Sequence, residues 1–485
     1  MLPVALASPA VMRAELSRIV GAEHVLDAPP RSAYNHDAAR RRGAEGRADA
    51  VVLPASAQEV AEVVRWCYAH DVAIVARGGG TGMMGGAVAT HGGVVCSMER
   101  LRTVRELEPA LWRMLPEAGV RTRDVQRLAR ENGLFFGPDP GAAEQSQIGG
   151  NVATNAGGPH ALKYGVTGAW VAGLEVVLAP GELVEIGGWA GKDVAGYDLK
   201  SLLVGSEGTL GVITAVRLRL LPAPEATVAL VVFLRTREDG CAAIGEVLAA
   251  GLRPSVLDFL DGDTLAIASG SFPAGADADT RAGAGAEADV GVPAQAGFAL
   301  IVELDGSHAD VREQHRELVR TLTGSALAVV QPRAQELWRW RDGINAAVTG
   351  VRGAKISEDV VFPLERLADG LEHFEQAAAR HGLRSCAWGH GGEGNVHATV
   401  LVDGDSDAEL DAAAAVGEEL FASVVSRGGS VAGEHGIGWL KRGRLEGQWE
   451  LRALELHEQL KRAFDPKGLL NPGTKLARYP APSAG

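Results

Sequence analysis

Two rhythms of apolar and polar positions run through this chain. Ser56-Ala-Gln-Glu59 has the form of a helix capping box, and Val60, Val63, Val64 and Cys67 follow at helical spacing. This predicts an amphipathic helix to about His70. Val72–Val75 is a short apolar run of strand type, followed by the glycines of Arg77-Gly78-Gly79-Gly80-Thr81-Gly82, and a second such run covers Gly93–Cys96. Residues 116–136 suggest a helix burying Val125, Leu128 and Ala129, and Gly137-Pro138-Asp139-Pro140-Gly141 must turn. Ile148–Gly158, built of small residues, reads as a loop, and Leu174–Leu178 and Val212–Leu220 read as strands. Residues 1–225 are therefore expected to form one mixed α+β unit.

The texture changes at 226. Val228–Leu234 and Phe298–Glu303 are strands in this reading, Asp239–Ala250 and Ala309–Leu322 are helices, and the alternation continues to about 402. A second unit over 226–425 follows, expected as an antiparallel sheet covered by helices. A closing segment, 426–485, has a helix over 449–464 and returns to the first unit. Residues 270–297 are low in complexity, lack bulky apolar side chains and are expected to be a mobile surface insertion.

Composition narrows the function classes. The 485 residues are 46% hydrophobic and 22% charged, as in a soluble globular protein. No apolar stretch reaches the length of a membrane span, and the N-terminal residues resemble neither a signal nor a transit peptide. Cys67, Cys96, Cys241 and Cys386 are widely spaced, which argues against a disulfide framework or a zinc ribbon and fits a reducing, cytoplasmic compartment. Peripheral membrane association and a homodimer remain compatible. A net charge of -14, with Arg40-Arg41-Arg42 the notable basic run, makes nucleic acid a poor partner.

Two constellations carry chemistry. Arg77–Gly82, Ile148–Gly158 and Gly205-Ser-Glu207-Gly208-Thr-Leu-Gly211 are glycine-rich segments, each beside a strand. Glycines allow close backbone approach, and successive N–H groups can form an anion nest. The spacing is not that of a Rossmann fingerprint. The second constellation is Gly389-His390-Gly-Gly-Glu393-Gly-Asn-Val-His397 between two apolar runs, with Glu434-His435-Gly-Ile-Gly438 further on. If the first is a hairpin, His390 and His397 face each other at its root, at the roughly 4.5–5.5 Å between Cβ atoms of cross-strand neighbours. Two His and a carboxylate form a common catalytic metal set, although a histidine in a turn can also be merely structural.

The three glycine segments resemble, in order, the FAD-binding domain of the vanillyl-alcohol oxidase / p-cresol methylhydroxylase flavoproteins. The resemblance implies an α+β fold in which FAD lies between two subdomains. Arg77, Gly78, Gly79, Gly80, Thr81 and Gly82 would cradle the pyrophosphate. Pro138, Asp139, Pro140, Gly149, Gly150, Asn151, Thr154, Asn155, Gly157, Gly158, Gly205, Glu207, Gly208 and Val212 would line the rest. Some relatives attach the flavin through a histidine in the first loop. None stands between Arg77 and Ala87, so the FAD is expected to be non-covalent. The hairpin and the Glu434-His435 turn resemble the branch of D-lactate dehydrogenase, the glycolate oxidase FAD subunit and D-2-hydroxyglutarate dehydrogenase, with Glu393 where the branch has Asp. Leu469-Leu-Asn471-Pro-Gly-Thr-Lys-Leu476 resembles its closing segment, which adds Asn471 to the cofactor set.

This branch implies oxidation of a small 2-hydroxy acid to the 2-keto acid, with hydride transfer to flavin N5. His390, His397 and Glu434 would bind a divalent metal (zinc, manganese or iron), His435 would act as base, and Arg341, with Asn345 one turn on, would hold the substrate carboxylate. Arg341 on a helix surface is the plainer alternative. The electron acceptor stays open among quinone, cytochrome, an electron-transfer flavoprotein and oxygen. Two other functions compete: a flavin-holding subunit of an electron-transfer complex, and a transferase like alkyl-glycerone-phosphate synthase.

Overall fold

The protein is described from a computed structural model covering residues 9–29, 32–273 and 291–477. The central part of the expected insertion, 274–290, lies outside the described residues. The chain divides into two compact units. One takes the described residues up to Gly157, Gly165–Ala223 and those from Glu434 onward; the other takes Gly158–Tyr164 and Pro224–Gly433.

In the first unit the strands are β1 (Val25–Leu26), β2 (Ala50–Val52), β3 (Ile74–Arg77), β4 (Val94–Ser97), β5 (Val104–Glu108), β6 (Arg113–Pro116), β7 (Leu134–Phe135), β8 (Val171–Leu178), β9 (Glu182–Gly187), β10 (Val212–Arg219) and β11 (Leu221–Pro222). One sheet has the order β1-β2-β4-β3, parallel from β2 to β3. Helix α1 (Ala57–Ala69) makes the crossover between β2 and β3. Its cap is the expected one: Ser56 Oγ accepts from Glu59 N–H at 3.2 Å, and Glu59 reaches back to Ala55 N–H at 2.7 Å. Val51, Val75 and Val95 are buried on these strands, and β3 and β4 match the apolar runs Val72–Val75 and Gly93–Cys96. A second, antiparallel sheet runs β5-β6-β10-β8-β9, and β7 pairs with β11.

Two expectations for this unit need correction. The helix placed over 116–136 is α2 (Thr122–Glu131), because its flanks are taken by β6 and β7. The segment 148–158, read as a loop, begins with helix α3 (Ile148–Thr154), which ends at Asn155 in the left-handed region, φ 53°. Glycine is a poor helix former, but packing decides here. A Cβ on Gly149 would stand 2.6 Å from that of Ala118, so the glycine permits the helix to lie against its neighbour.

The C-terminal segment completes this unit by hydrogen bonding. Ile74 N–H donates to Leu469 O and Asn471 N–H to Ile74 O, both at 2.8 Å, which lays 469–471 alongside β3. Lys461, buried on the helix Leu451–Phe464, pairs with Asp465 and donates to the carbonyls of Thr209 and Leu470.

The second unit is built on seven strands: β12 (Ala226–Leu234), β13 (Val256–Asp261), β14 (Phe298–Gly306), β15 (Ala328–Val330), β16 (Ala354–Val361), β17 (Arg384–Gly389) and β18 (Asn395–Val402). They form one antiparallel sheet in the order β15-β12-β14-β13-β17-β18-β16. The short helix α4 (Ala161–Tyr164) belongs here, and with it Gly158, which the sequence reading had placed with the flavin residues. The other helices are α5 (Arg237–Ala249), α6 (Gly262–Ala268), α7 (His308–Leu322), α8 (Ala334–Arg352), α9 (Leu367–Arg380) and α10 (Asp407–Ser426).

Register places alternate residues on one face. Val231, Phe233, Ala299, Ile301, Leu260, Cys386 and Trp388 share a face, where Leu337, Trp340, Ile344 and Val348 of α8 join them in one core. The same face carries Glu303, Asp258, His397 and Asp359 at its other positions.

Candidate functional site

The first glycine segment leaves β3 and is braced from within. The Arg77 guanidinium is buried and donates to the carbonyls of Ala87 at 3.0 Å and Ala33 at 2.8 Å. Its side chain thus holds the loop in shape. Burial pushes its pKa down, against the pull of Asp37. A Cβ on Gly79 would run into the carbonyl of Gln145, and Gly80 has φ +67°. The N–H groups of Gly79, Gly80, Thr81 and Gly82 are used by no hydrogen bond within the described backbone.

Several polar groups expected on a cofactor are hydrogen-bonded within the protein. Asn151 Nδ2 donates to Thr122 Oγ1 at 2.7 Å, Thr154 Oγ1 to Gly150 O at 3.1 Å, and Asn155 Oδ1 accepts from Gly168 N–H at 2.8 Å. Asn471 Nδ2 ties Gly86 O to Glu207 O, both at 2.7 Å. Pro138 O accepts from Gln126 Nε2 at 2.8 Å. By contrast, a Cβ at Gly150 would meet nothing within 4 Å, and one at Gly205 only the Asn155 side chain. Asp139 and Pro140 are half-buried, and Val212 and Gly208 are buried.

Glu207 is the unexpected member of this group. Its carboxylate accepts from Ile437 N–H at 3.0 Å and Gly438 N–H at 2.6 Å, with Lys475 Nζ at 3.3 Å. It therefore anchors the turn that carries Glu434 and His435. Gly436, at φ +81°, passes so close that a Cβ would stand 3.1 Å from Glu207 Oε1. In the same unit, Glu434 lies against Gly157, 3.0 Å from where a Cβ would be, and His435 Nε2 is 3.8 Å from Glu434 Oε1.

His390 and His397 belong to the second unit, and both are buried. The hairpin is present, but its register differs from the expected one. His397 on β18 stands opposite Trp388 on one side and Asp359 on the other. His390 lies beyond the end of β17, at the start of the tight turn Gly391–Glu393. The two imidazoles still approach, with ring centroids 5.5 Å apart and planes at 86°. Gly394, at φ +70°, closes the turn where a Cβ would strike the carbonyl of Phe362.

Behind His390 is a residue the sequence reading missed. Asp258 on β13 is fully buried; its Oδ1 lies 2.7 Å from His390 Nδ1, and its Oδ2 accepts from Arg341 Nε at 2.9 Å and Nη2 at 2.7 Å. Burial pushes its carboxyl up, but His390 and Arg341 beside it win and hold it well below the usual carboxylate range. Arg341, expected to hold a substrate carboxylate, thus already grips a carboxylate of the protein. Asn345, one turn on along α8, is exposed. A signal was present: Asp258 is an acid inside the otherwise apolar Val256-Leu-Asp-Phe-Leu260. Nearby on the same sheet, Glu303 takes His160 Nε2 and Trp338 Nε1, both at 2.8 Å, while Asp305 pairs with Lys163 and accepts from Tyr164 at 2.7 Å, which fixes α4 to the sheet.

Residues 48–187 match the family described as FAD binding domain, and residues 223–474 match FAD linked oxidases, C-terminal domain. The chain belongs to the FAD-linked oxidases. Among relatives of this FAD-linked oxidase is the glycolate oxidase subunit GlcD of Bacillus subtilis, 33% identical over 474 residues, which span 96% of this chain and 97% of that one. The D-lactate dehydrogenase of Anaerostipes hadrus is 30% identical over 91% of this chain and 92% of its own length. The solved structure of p-cresol methylhydroxylase with substrate bound superposes with a TM-score of 0.77 at 16% identity, covering 97% of both chains. The α+β fold is thus of the p-cresol methylhydroxylase type, and the FAD-linked oxidase is a flavin-binding oxidoreductase. Its residues suit the cofactor: the N–H groups of Gly79, Gly80, Thr81 and Gly82 enter no backbone hydrogen bond among the described residues, as a diphosphate-binding loop requires. Gln147 Oε1, 3.6 Å from the Cβ position of Gly78, is buried with no hydrogen-bond partner among the described residues. No helix among the described residues is long and apolar enough to cross a membrane.

Proposed function

We propose that this FAD-linked oxidase oxidises a small 2-hydroxy acid, of the glycolate, D-lactate or D-2-hydroxyglutarate class, to the 2-keto acid. The observation that carries the reading is the buried, edge-to-face pair His390 and His397 on a hairpin in which a Cβ at Gly389 or Gly394 would strike a backbone carbonyl. The names of the relatives, glycolate oxidase subunit and D-lactate dehydrogenase, point the same way. His390, His397 and Glu434 are the proposed ligands of a divalent cation (zinc, manganese or iron). Bound FAD supplies a two-electron acceptor, and a bound cation supplies positive charge beside the substrate oxygens. His435 takes the proton of the substrate hydroxyl on its imidazole, the side chain whose ordinary pKa suits this step near neutral pH. Arg341 and Asn345 are proposed for the substrate carboxylate.

The flavin is proposed to be non-covalent, so acid precipitation should leave the yellow colour in the supernatant; colour in the pellet would mean a covalent link. Anaerobic mixing with glycolate, D-lactate and D-2-hydroxyglutarate tests the reaction: bleaching of the flavin by at least one supports it, and failure with all three removes it. One observation favours a second reading. GlcD is called a subunit, so this chain would pass its electrons to partner chains. Reduction of a dye by the purified chain alone would speak against that dependence. The acceptor proposed here is a quinone, a cytochrome, an electron-transfer flavoprotein or oxygen.

A further inference from the structure

We infer that Asp258 is a positioning residue that fixes the imidazole of His390 with Nδ1–H turned inward, so that Nε2 is the nitrogen offered to a metal, with Arg341 as its far support. This rests on the reading of His390 as a ligand, and the geometry lies wholly within the second unit.

The argument begins on the strand. On β13, position 258 shares its face with Val256 and Leu260 and stands opposite Ile301 on β14. A charged side chain among such neighbours is costly unless it is paired and hydrogen-bonded. Asp258 is paired on both oxygens. One edge of the Arg341 guanidinium closes on Oδ2 through two nitrogens, and His390 meets Oδ1. A carboxylate gripped by a guanidinium can only accept hydrogen bonds. The ring nitrogen 2.7 Å from its other oxygen must therefore be the donor, which places a proton on Nδ1 and makes Nε2 the nitrogen left to meet a metal.

The main chain removes the remaining freedom. His390 O accepts from Glu393 N–H and Asn395 N–H, both at 3.1 Å, so backbone and ring are held independently. The outcome is a three-link chain, Arg341 on α8, Asp258 on β13 and His390 on the hairpin. Partners of this kind, one shell behind the ligands, fix the tautomer and strengthen the ligating nitrogen. Arg341 supplies a planar fork, which a lysine cannot imitate.

The test uses the full-length, FAD-loaded, metal-free protein with nitrogen-15 in its histidines. His390 is assigned by its loss in His390→Gln. Wild type should show the Nδ1–H tautomer at His390. In Asp258→Asn, whose amide can donate as well as accept, the tautomers should mix. Zinc competition against a chromophoric chelator should then show about 10–100-fold weaker binding, with FAD content unchanged. Arg341→Lys should shift both readouts in the same direction by less. An Nε2–H tautomer in wild type overturns the proposal, as does Asp258→Asn with unchanged tautomer and zinc affinity. If Asp258→Asn does not fold, the wild-type tautomer and Arg341→Lys decide. A wild type with the Nδ1–H tautomer that binds no zinc would remove the metal reading while upholding the orienting role of Asp258.

Discussion

In the glycine segments of the first unit, and apart from the Glu434-His435 turn and the Gln147 side chain, the groups left available to a ligand belong to the main chain. Gly79, Gly80, Thr81 and Gly82 present N–H groups, while Arg77, Asn151, Asn155 and Glu207 are spent on holding loops. In the second unit the main chain is consumed by a seven-stranded ladder, and the proposed chemistry rests on side chains: the buried His390, His397, Asp258 and Asp359, with Arg341 half-buried beside them. The difference is physical. A diphosphate needs many weak donors at close range, which glycines permit by having no Cβ. Proton transfer or ligation needs one particular nitrogen in one orientation, which requires a supported side chain. Backbone sites should therefore respond to added bulk, and side-chain sites to lost charge or lost donors.

The largest effect expected is at His435. His435→Ala should retain FAD, since the turn is anchored by Glu207 through main-chain N–H groups. Flavin reduction by a 2-hydroxy acid should slow by about 3–5 kcal/mol of barrier. Stopped-flow spectra check this, and reduction at the wild-type rate would take His435 out of the chemistry. Next come His390→Ala and His397→Ala, each expected to lose bound metal, and turnover with it, while the flavin spectrum persists. Elemental analysis of active wild type that found no zinc, manganese or iron would cancel this expectation.

Glycine variants probe the other side of the comparison. Gly79→Ala drives a Cβ into the Gln145 carbonyl and should destabilise the metal-free, flavin-free fold by about 1–3 kcal/mol. Gly150→Ala lies inside the helix Ile148–Thr154 and meets no protein atom within 4 Å, so the flavin-free chain should be stabilised by up to about 1 kcal/mol. Its FAD affinity should nevertheless fall if the cofactor passes there. Equal effects of the two on flavin-free stability would contradict a cradle open at Gly150.

The smallest effect is electrostatic. Burial lowers the Lys355 ammonium on β16 from 10.5 to about 8, opposed by the Trp388 ring 4.5 Å beneath it. Between about pH 8 and 10.5 the unfolded chain binds the proton more readily than the folded one, so this group raises stability as pH rises. Below that window the charge carries a constant cost. Lys355→Met should therefore be more stable than wild type by about 1–2 kcal/mol below pH 8, and the difference should vanish above pH 10.5. Denaturant titration across that range measures it; a difference that grew with pH would reverse the assignment.

The capping box at Ser56, the glycine segments and the hairpin ends could be read from the chain because each depends on residues a few positions apart. Glycine at 79 or 394 records a steric demand, and a run of such demands beside strands implies a ligand or a tight turn. The helix Ile148–Thr154 was not legible, because its glycines argue against a helix and only the approach of Ala118 makes one. Neither was the register that sets His397 opposite Trp388 and Asp359, since a hairpin with a turn of unknown type leaves register open.

By itself, the sequence determined the α+β class and the resemblance to a flavin-binding family, and it supplied the histidines proposed for chemistry. Tertiary structure alone decided what those residues touch. Asp258 meets Arg341 across 83 positions and His390 across 132. Glu207 reaches Ile437 and Gly438 across 230 and 231. Such pairings are set by strand order and burial, which local periodicity does not encode. A lone acid in an apolar strand shows that a partner is required, and only the packed sheet shows which one.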